Sequence, residues 1–353
     1  TLQCTIIKPG DIWTETKISN MAALRKIKSP DCIIVLLIML IIFLLSYNSC
    51  NPTTETVDTG ALKSQPPADK IVADSRINNS LLQLLRRTTM QDRTVIITMV
   101  GQEWASPGSV LDLFLESFHI GEETKPLLNH LLIVALDSKA FQYCKTVHPH
   151  CFYLSNTSTR YTKKKQLSLP QVRNKFWQEV IELAYSVVFT EVDVMWLRNP
   201  ILQVDCLKEM TIACDVYSGD LQNISYVKDG GFFYLKSNAI TSEYFKYQDM
   251  TRILFPDSQN RTLCEETVVN GELFETLSLR INYMEQDLYG EFCQQNINMD
   301  TICTVRANCC DDTESKVHDL KLLIEDWRSF TKKNSLRGSS PPYTWRAHSK
   351  CKG

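Results

Sequence analysis

Two carboxylates, Glu191 and Asp193, stand at alternate positions directly after the apolar run Val187–Thr190. Such a run is typical of a strand buried on both faces of a parallel sheet, which places both acids at the carboxyl edge of that sheet. Two acids there can hold a divalent cation, Mn²⁺ or Mg²⁺, that bridges them to a diphosphate and stabilises its charge as a bound group departs. The alternative is an ordinary strand that ends in polar residues at the surface.

A second candidate site contains paired glycines. Asp229, Gly230 and Gly231 precede the apolar run Phe232–Leu235. Paired glycines before a strand let the backbone approach a ligand closely, although an ordinary tight turn fits the same residues. The chain contains neither the Gly-x-Gly-x-x-Gly pattern nor a P-loop, which excludes the common dinucleotide-binding and ATP-binding loops.

The cysteines indicate an oxidising compartment. Eleven of the thirteen lie after residue 49 and none forms a Cys-x-x-Cys pair, so disulfides are favoured over a zinc ribbon. We expect Cys144 and Cys151 to form a local disulfide, and the adjacent Cys309 and Cys310 to pair with other cysteines. Metal binding by these thiols is the alternative. We interpret the segment His148–His150 as an exposed turn rather than as a metal-binding pair.

One hydrophobic segment determines the expected topology. The stretch Cys32–Tyr47 is 16 residues long, against the roughly 17–25 that a membrane-spanning helix needs. Basic residues at 25, 26 and 28 precede it and none follows until residue 63, which predicts a cytosolic N-terminus and a lumenal domain. A cleaved signal peptide is the alternative, but the apolar region is long for one and the cleavage site is poor. We therefore predict a single-pass type II membrane protein.

The regions around this anchor follow from composition. Residues 1–31 form the cytosolic tail, and we expect the native chain to begin at Met21, so that residues 1–20 are not native. Residues 48–90 are rich in Pro, Thr, Ser and Asp, as in a flexible stem. The globular domain covers residues 91–332, followed by a C-terminal tail at 333–353. Four glycosylation sequons follow the anchor and agree with lumenal topology, at Asn78, Asn156, Asn223 and Asn260.

The domain alternates between strand and helix patterns, which predicts an α/β fold with a mostly parallel, Rossmann-like sheet flanked by helices. Strands are predicted at Thr94–Val100, Leu131–Leu136, Cys151–Leu154, Val187–Thr190, Thr211–Cys214, Phe232–Leu235 and Leu279–Tyr283. Helices are predicted at Leu81–Leu85, Val110–Phe118, after a cap at Ser138, and at Val172–Ala184, Thr241–Leu254, Glu265–Glu275 and Ser315–Phe330. The chain has 353 residues and a net charge of −2, without the basic face that binds nucleic acid.

These motifs together resemble the plant nucleotide-diphospho-sugar transferases of glycosyltransferase family 77, which include rhamnogalacturonan xylosyltransferases and extensin arabinosyltransferases. The resemblance spans about residues 93–330. It implies a GT-A-type fold, Golgi residence and retaining transfer of a sugar, with a pentose expected, from a nucleotide-sugar donor such as a UDP-sugar to a cell-wall polysaccharide or glycoprotein. The matching stretches are Leu111–Phe118, Leu128–Asp137, His148–Tyr153, Phe189–Pro200, Gly230–Asn238, Gly290–Gln294, Cys303–Cys310 and His318–Trp327.

The chain departs from the family where chemistry is expected. Glu191 replaces the first acid of the usual Asp-x-Asp, Asp229 replaces the Asn of Asn-Gly-Gly, and Arg306 stands where a His is common. Arginine cannot ligate a metal but can pair with phosphate. The segment Cys264–Thr267 also departs from the acidic-Gln pattern of many members.

The resemblance assigns roles at these positions. Asp193, helped by Glu191, is expected to hold Mn²⁺ (or Mg²⁺) against the diphosphate. The segment Asp229–Gly231 is expected to bind the donor, while Arg306 and Lys316 neutralise the charge of the departing diphosphate. Because of the departures, two alternatives remain: transfer with little or no metal dependence, and a catalytically weakened scaffold or binding protein in a Golgi glycosylation complex. A glycoside hydrolase is disfavoured, since acids two residues apart on one strand cannot flank a glycosidic bond.

Overall fold

The main sheet of the computed structural model is mixed, with one strand that runs against the other six. The structure describes residues 79–154, 169–215, 228–254, 262–269, 271–292, 297–335, 346 and 349–351. The strands of the main sheet are β1 (Thr94–Val100), β2 (Leu131–Ala135), β3 (Cys151–Tyr153), β4 (Ser186–Thr190), β6 (Met210–Asp215), β7 (Lys228–Leu235) and β8 (Ile281–Tyr283). Their order is β3-β2-β1-β4-β7-β6-β8, and β7 is the antiparallel strand. The predicted mostly parallel α/β sheet is confirmed.

Alternation along β1 divides the core into two layers. Successive side chains of a strand point to opposite faces, so Ile96 packs in one hydrophobic cluster while Val95 and Ile97 pack in the other. All seven residues of β1 are buried, which explains why its sequence is a continuous apolar run rather than an alternating one.

Helices cover both faces of this sheet. They are α1 (residues 79–88), α2 (Val110–Ile120), α3 (Ser138–Val147), α4 (Leu169–Glu182), α5 (Ala239–Leu254), α6 (Leu263–Val269), α7 (Gly271–Thr276) and α8 (Thr313–Ser335). The helices α2, α3 and α8 contribute to the cluster that contains Ile96, and α1, α4, α5 and α6 to the other.

Three details of the helices differ from expectation. The cap of α3 is Asp137, whose carboxylate accepts hydrogen bonds from the backbone N–H groups of Lys139 and Ala140, so Ser138 is the first helical residue instead of the cap. The helix expected at Glu265–Glu275 is divided into α6 and α7. Helix α1 lies in the predicted stem but is part of the domain, because its Leu81 and Leu85 are fully buried in the core.

A second, smaller sheet was not expected. It contains β5 (Val194–Trp196), β10 (Thr304–Arg306) and β9 (Tyr289–Glu291), in the order β5-β10-β9. Strand β10 runs antiparallel to β5 and parallel to β9. This sheet brings residues more than a hundred positions apart beside the end of β4.

Disulfides and buried carboxylates connect the C-terminal segment to the domain. Cys310 is bonded to Cys351, and Asp319 accepts hydrogen bonds from the backbone N–H of Cys351. Burial alone would raise the pKa of Asp319, but hydrogen bonds from that N–H and from His318 hold it at about 2. At least part of the predicted tail is therefore attached to the fold.

The other cysteines also agree with an oxidised chain. The expected Cys144–Cys151 disulfide is present, and a further bond joins Cys214 to Cys264. Cys309 is disulfide-bonded, as expected of a residue that cannot pair with its neighbour. Among the described residues, the buried Cys303 is the free thiol.

Several predictions of topology fall outside the described residues. These are the cytosolic tail, the anchor Cys32–Tyr47, most of the stem, and the sequon residues Asn78, Asn156, Asn223 and Asn260. Within the described part of the chain, no helix combines the length and the apolar character that crossing a membrane requires.

The exposed turn expected at His148–His150 is wrong in one respect, because His148 is buried. Its Nε2 donates a hydrogen bond to the carbonyl of Leu131 at 2.9 Å. Burial lowers the pKa of His148 and of the half-buried His150. The nearby His150 lowers the pKa of His148 further, and the nearby Arg87 lowers the pKa of His150 further.

We expect the domain to lose stability as the pH falls below about 6.5. Folding lowers the pKa of both histidines, so the unfolded chain binds protons at a higher pH than the folded chain does. The stabilisation is therefore present above the unfolded pKa and is lost below it. Chemical denaturation at a series of pH values should show this slope. His148→Asn should flatten it, whereas His119→Asn, at an exposed position of α2, should leave it unchanged. An equal slope in all three proteins would contradict the assignment.

Candidate functional site

The loop between β4 and β5 carries both predicted acids and is held in place by its backbone. The N–H of Glu191 donates to the carbonyl of Gly231 in β7 at 2.8 Å. The N–H of Ala307, directly after β10, donates to the carbonyl of Asp193 at 3.0 Å. The loop therefore lies between the two sheets, at the carboxyl end of β4, where the sheet topology predicts a ligand.

Asp193 lies at the centre of a cluster of charged side chains. It is buried, with 3% of its surface exposed, and its Oδ2 lies 2.5 Å from Nζ of Lys316. Its Oδ1 lies 3.6 Å from Nε of Arg306 in β10. The structure thus brings together three of the predicted site residues, which are far apart in the sequence.

Lys316 is positioned by the first turn of α8 and by an aromatic ring. Asp312, directly before the helix, accepts hydrogen bonds from the backbone N–H and the hydroxyl of Ser315, and these bonds lower the pKa of Asp312. This interaction fixes the start of α8. The ammonium of Lys316 lies 4.7 Å from the ring centre of Trp104, in the loop after β1, at a distance suited to a cation–π interaction.

Glu191 is engaged by a different cation. The guanidinium of Arg173 in α4 reaches both carboxylate oxygens, with Nη1 at 2.7 Å from Oε1 and Nη2 at 3.1 Å from Oε2. This two-pronged geometry is the strong form of the arginine–carboxylate pair. Arg173 also lies over the ring of Phe189, 5.7 Å from its centre.

The side chains do not fit the expected Mn²⁺ site. Both oxygens of Glu191 bind Arg173, and the carboxylate of Asp193 faces Lys316 and Arg306. Within the described ranges, no group of three or more His, Cys, Asp or Glu side chains is arranged to hold a metal ion. Cationic side chains lie beside both acids, although Oδ1 of Asp193 accepts no hydrogen bond from the described residues.

The paired glycines lie in different surroundings. A Cβ on Gly230 would come within 2.8 Å of the Cβ of Ala213, so the absence of a side chain at Gly230 allows Ala213 to pack there rather than a ligand. Gly231 has a φ of +67°, and a Cβ there would lie 2.9 Å from Cγ2 of Val194 and 3.1 Å from Cδ of Arg306. Gly231 thus allows Arg306 to pack directly over the backbone. Asp229 lies in β7, paired in register with Cys214.

A cavity of about 200 Å³ opens beside these residues. Its wall combines aromatic rings with charged and polar groups: Arg173, Asn174, Trp177, Phe189, Glu191, Ile212, Gly231, Phe233, Tyr244, Thr262, Leu263, Glu266 and Arg306. It is smaller than the roughly 300–1,000 Å³ clefts that hold drug-sized ligands, which suits one sugar ring rather than a whole nucleotide sugar.

Glu266 is a site residue that the motif search did not select. It lies in α6, and its Oε2 accepts a hydrogen bond from the hydroxyl of Tyr244 at 2.7 Å and another from the amide of Gln248. Burial and this carboxylate raise the pKa of Tyr244 well above its ordinary value, so the hydroxyl stays a donor. In the sequence, the departure of the segment Cys264–Thr267 from the family pattern was the feature that pointed toward Glu266. No feature of the sequence distinguished Arg173.

Comparisons with known proteins identify the family of this chain. Residues 126–320 match the nucleotide-diphospho-sugar transferase family. Two uncharacterized proteins of Arabidopsis thaliana are each 31% identical to this chain, over 276 and 272 residues. The first alignment covers 76% of this chain and 72% of the relative, and the second covers 74% and 79%.

Solved glycosyltransferase structures are more distant. The apo form of the glycosyltransferase GlyE from Streptococcus pneumoniae is 9% identical, with a TM-score of 0.40, over 68% of this chain and 64% of that one. The galactosyltransferase LgtC, in complex with donor and acceptor sugar analogues, is 11% identical with a TM-score of 0.38, over 70% and 98% of the two chains.

We expect Gly231→Ala to destabilise the domain by about 2 kcal/mol, since a positive φ alone costs an L residue about 1–2 kcal/mol. The added Cβ would also displace Arg306. Gly108→Ala is the matched control, because Gly108 has a φ of +73° but open space around it. Denaturant unfolding of both variants separates the cost of the positive φ from the cost of the contacts that the added Cβ makes. A cost at residue 231 no larger than at residue 108 would contradict the extra destabilisation expected from the contacts with Val194 and Arg306.

Proposed function

The chain belongs to the nucleotide-diphospho-sugar transferase family and is a glycosyltransferase, and we propose that its donor binds with the diphosphate at Asp193, Lys316 and Arg306. The observation that carries this proposal is the convergence of two cationic side chains on one buried carboxylate beside a cavity. Phosphate oxygens are strong acceptors for lysine and arginine.

The transferred sugar occupies the neighbouring cavity in this proposal. Aromatic rings offer flat apolar surface to a sugar ring, and Trp177, Phe233 and Tyr244 supply it. Carboxylates accept hydrogen bonds from sugar hydroxyls, and Glu266 and Glu191 are placed on the same wall. The bond between the anomeric carbon and the β-phosphate oxygen breaks, and its electron pair stays on the diphosphate. A bond forms from that carbon to an acceptor hydroxyl oxygen, whose proton passes to the departing diphosphate. Lys316 and Arg306 stabilise that charge.

From the family resemblance of the sequence we also propose a UDP-linked pentose as donor, transfer with retention, and a cell-wall polysaccharide or glycoprotein as acceptor. The apolar stretch Cys32–Tyr47 and its basic flank support a type II anchor in the Golgi membrane, with glycosylation at the four sequons. We also propose other transferases of a Golgi complex as partners. No Mn²⁺ site is proposed at Glu191 and Asp193, because both are paired with cations.

Titration calorimetry of the purified full chain with UDP, GDP and ADP tests the donor class, and a screen of UDP-sugars for hydrolysis or transfer then identifies the sugar. We expect UDP to bind most tightly. If no nucleoside diphosphate binds, with or without added divalent metal, the proposed function is wrong. Binding without turnover of any donor would favour the scaffold alternative.

We expect Glu266→Gln to lower kcat by about 10–100-fold, because hydrogen bonds to a charged group contribute about 1.5–3 kcal/mol. The substitution removes the charge but keeps an acceptor for Tyr244. Since Glu266 faces the sugar cavity rather than the diphosphate, the affinity for UDP should change by less than about twofold. Steady-state kinetics on the donor that the screen identifies, together with calorimetry, provide both values.

Glu272→Gln is the control for this substitution, at an exposed position in the neighbouring helix α7. It should leave kcat and UDP affinity unchanged. If Glu266→Gln has full activity, the cavity does not hold the sugar in the way proposed.

A further inference from the structure

We infer that Lys316 and Arg306 bind the donor diphosphate directly, in place of a divalent metal, so that donor binding requires no metal ion. The inference rests on the proposed function, because it concerns the same site. It assigns Asp193 the role of a positioning residue that holds two cations in place, where the sequence pattern suggested a metal ligand.

The pairing of Asp193 is the first argument. Its carboxylate is almost fully buried, with Lys316 at 2.5 Å from one oxygen and Arg306 at 3.6 Å from the other. A metal at this carboxylate would have to displace both partners. It would then leave two cations close to a doubly charged ion in a site with little water to screen them.

The pairing of Glu191 is the second argument. Arg173 binds both of its oxygens, so the second expected ligand is engaged as well. Arg173 reaches Glu191 from α4, while Lys316 and Arg306 reach Asp193 from α8 and β10. The three cations come from two helices and one strand. Movement of any one of these elements would therefore not free both carboxylates from their cationic partners.

The cations are positioned for an anionic ligand. Lys316 is fixed by the ring of Trp104, and Arg306 by its close packing on Gly231. Lysine has three N–H donors and arginine has five, so each can hold Asp193 and still donate to a phosphate oxygen. Arg306 and Gly231 also line the cavity, which places this binding site next to the proposed sugar position.

The test measures binding of UDP and of inorganic pyrophosphate to the purified full chain by calorimetry, after removal of metals with EDTA. Pyrophosphate reports on diphosphate recognition without the nucleoside. We expect both ligands to bind, with dissociation constants, calculated for ligand that is not chelated by metal in solution, that change by less than about twofold when millimolar Mn²⁺ or Mg²⁺ is added. Mn²⁺ titrated into the chain alone, followed by electron paramagnetic resonance, should show no stoichiometric binding.

Substitutions of the cations extend the test. Lys316→Met and Arg306→Gln should each weaken pyrophosphate binding by about tenfold or more, because each removes charge-assisted hydrogen bonds. The controls are Lys246→Met and Arg328→Gln, which remove exposed cations paired with Glu243 and Glu116. Thermal unfolding shows whether each variant is folded, and the metal comparison on the unsubstituted chain decides the question even if a variant is not.

The outcomes separate this inference from the proposed function. If UDP binds only when Mn²⁺ or Mg²⁺ is present, direct cation binding is refuted while the transferase assignment stands. If folded Lys316→Met and Arg306→Gln proteins bind pyrophosphate as tightly as the controls do, the site is elsewhere. If neither UDP nor pyrophosphate binds under any condition, the proposed function is refuted together with the inference.

Discussion

The ion pair between Asp193 and Lys316 connects two parts of this fold that are distant in the sequence, the end of β4 and the start of α8. The two residues are 123 positions apart, yet Oδ2 and Nζ are 2.5 Å apart and almost shielded from water. A buried charge without a partner is strongly unfavourable, so the end of β4 and the start of α8 must come together for either residue to be buried. Arg306 adds the second sheet to the same point.

The topology of the main sheet explains why this point is also the candidate site. The order β3-β2-β1-β4 places β2 and β4 on opposite sides of β1, so the chain leaves β1 and β4 in different directions. A crevice forms beyond the carboxyl ends of two such strands. The loop after β1 supplies Trp104 and the loop after β4 supplies Asp193, and Lys316 contacts both.

Much of this arrangement was predictable from local patterns. Buried strands such as β1 and β4 are short, continuous apolar runs, and the amphipathic helices α2 and α8 have a clear period, so their positions were confirmed to within a few residues. The strands β5, β9 and β10 have three residues each, too few for a period to show, and they form only because they pair with one another.

The sequence selected Glu191, Asp193, Arg306 and Lys316 as candidate site residues, but it indicated neither Arg173 nor the pairing of the charges. Glu191 and Asp193 stand out because they follow an apolar run, whereas Arg173 is one of several polar residues along a helix. A motif indicates which residue types are close in sequence, and a metal site fits Glu191 and Asp193 on that basis alone. Which cation binds each acid depends on contacts between α4, α8 and β10, which no sequence spacing encodes.

The ion pairs themselves indicate a function beyond stability. Replacing a buried ion pair with apolar side chains of similar volume often leaves a protein equally or more stable, so stability alone does not explain Asp193, Lys316 and Arg306. Binding of an anionic ligand would make the buried cations favourable, because the free-energy cost of removing water from them was already met when the chain folded. In the proposed site, Asp193 holds those cations in position before the ligand binds, so the same carboxylate contributes to the fold and to the proposed recognition of the diphosphate.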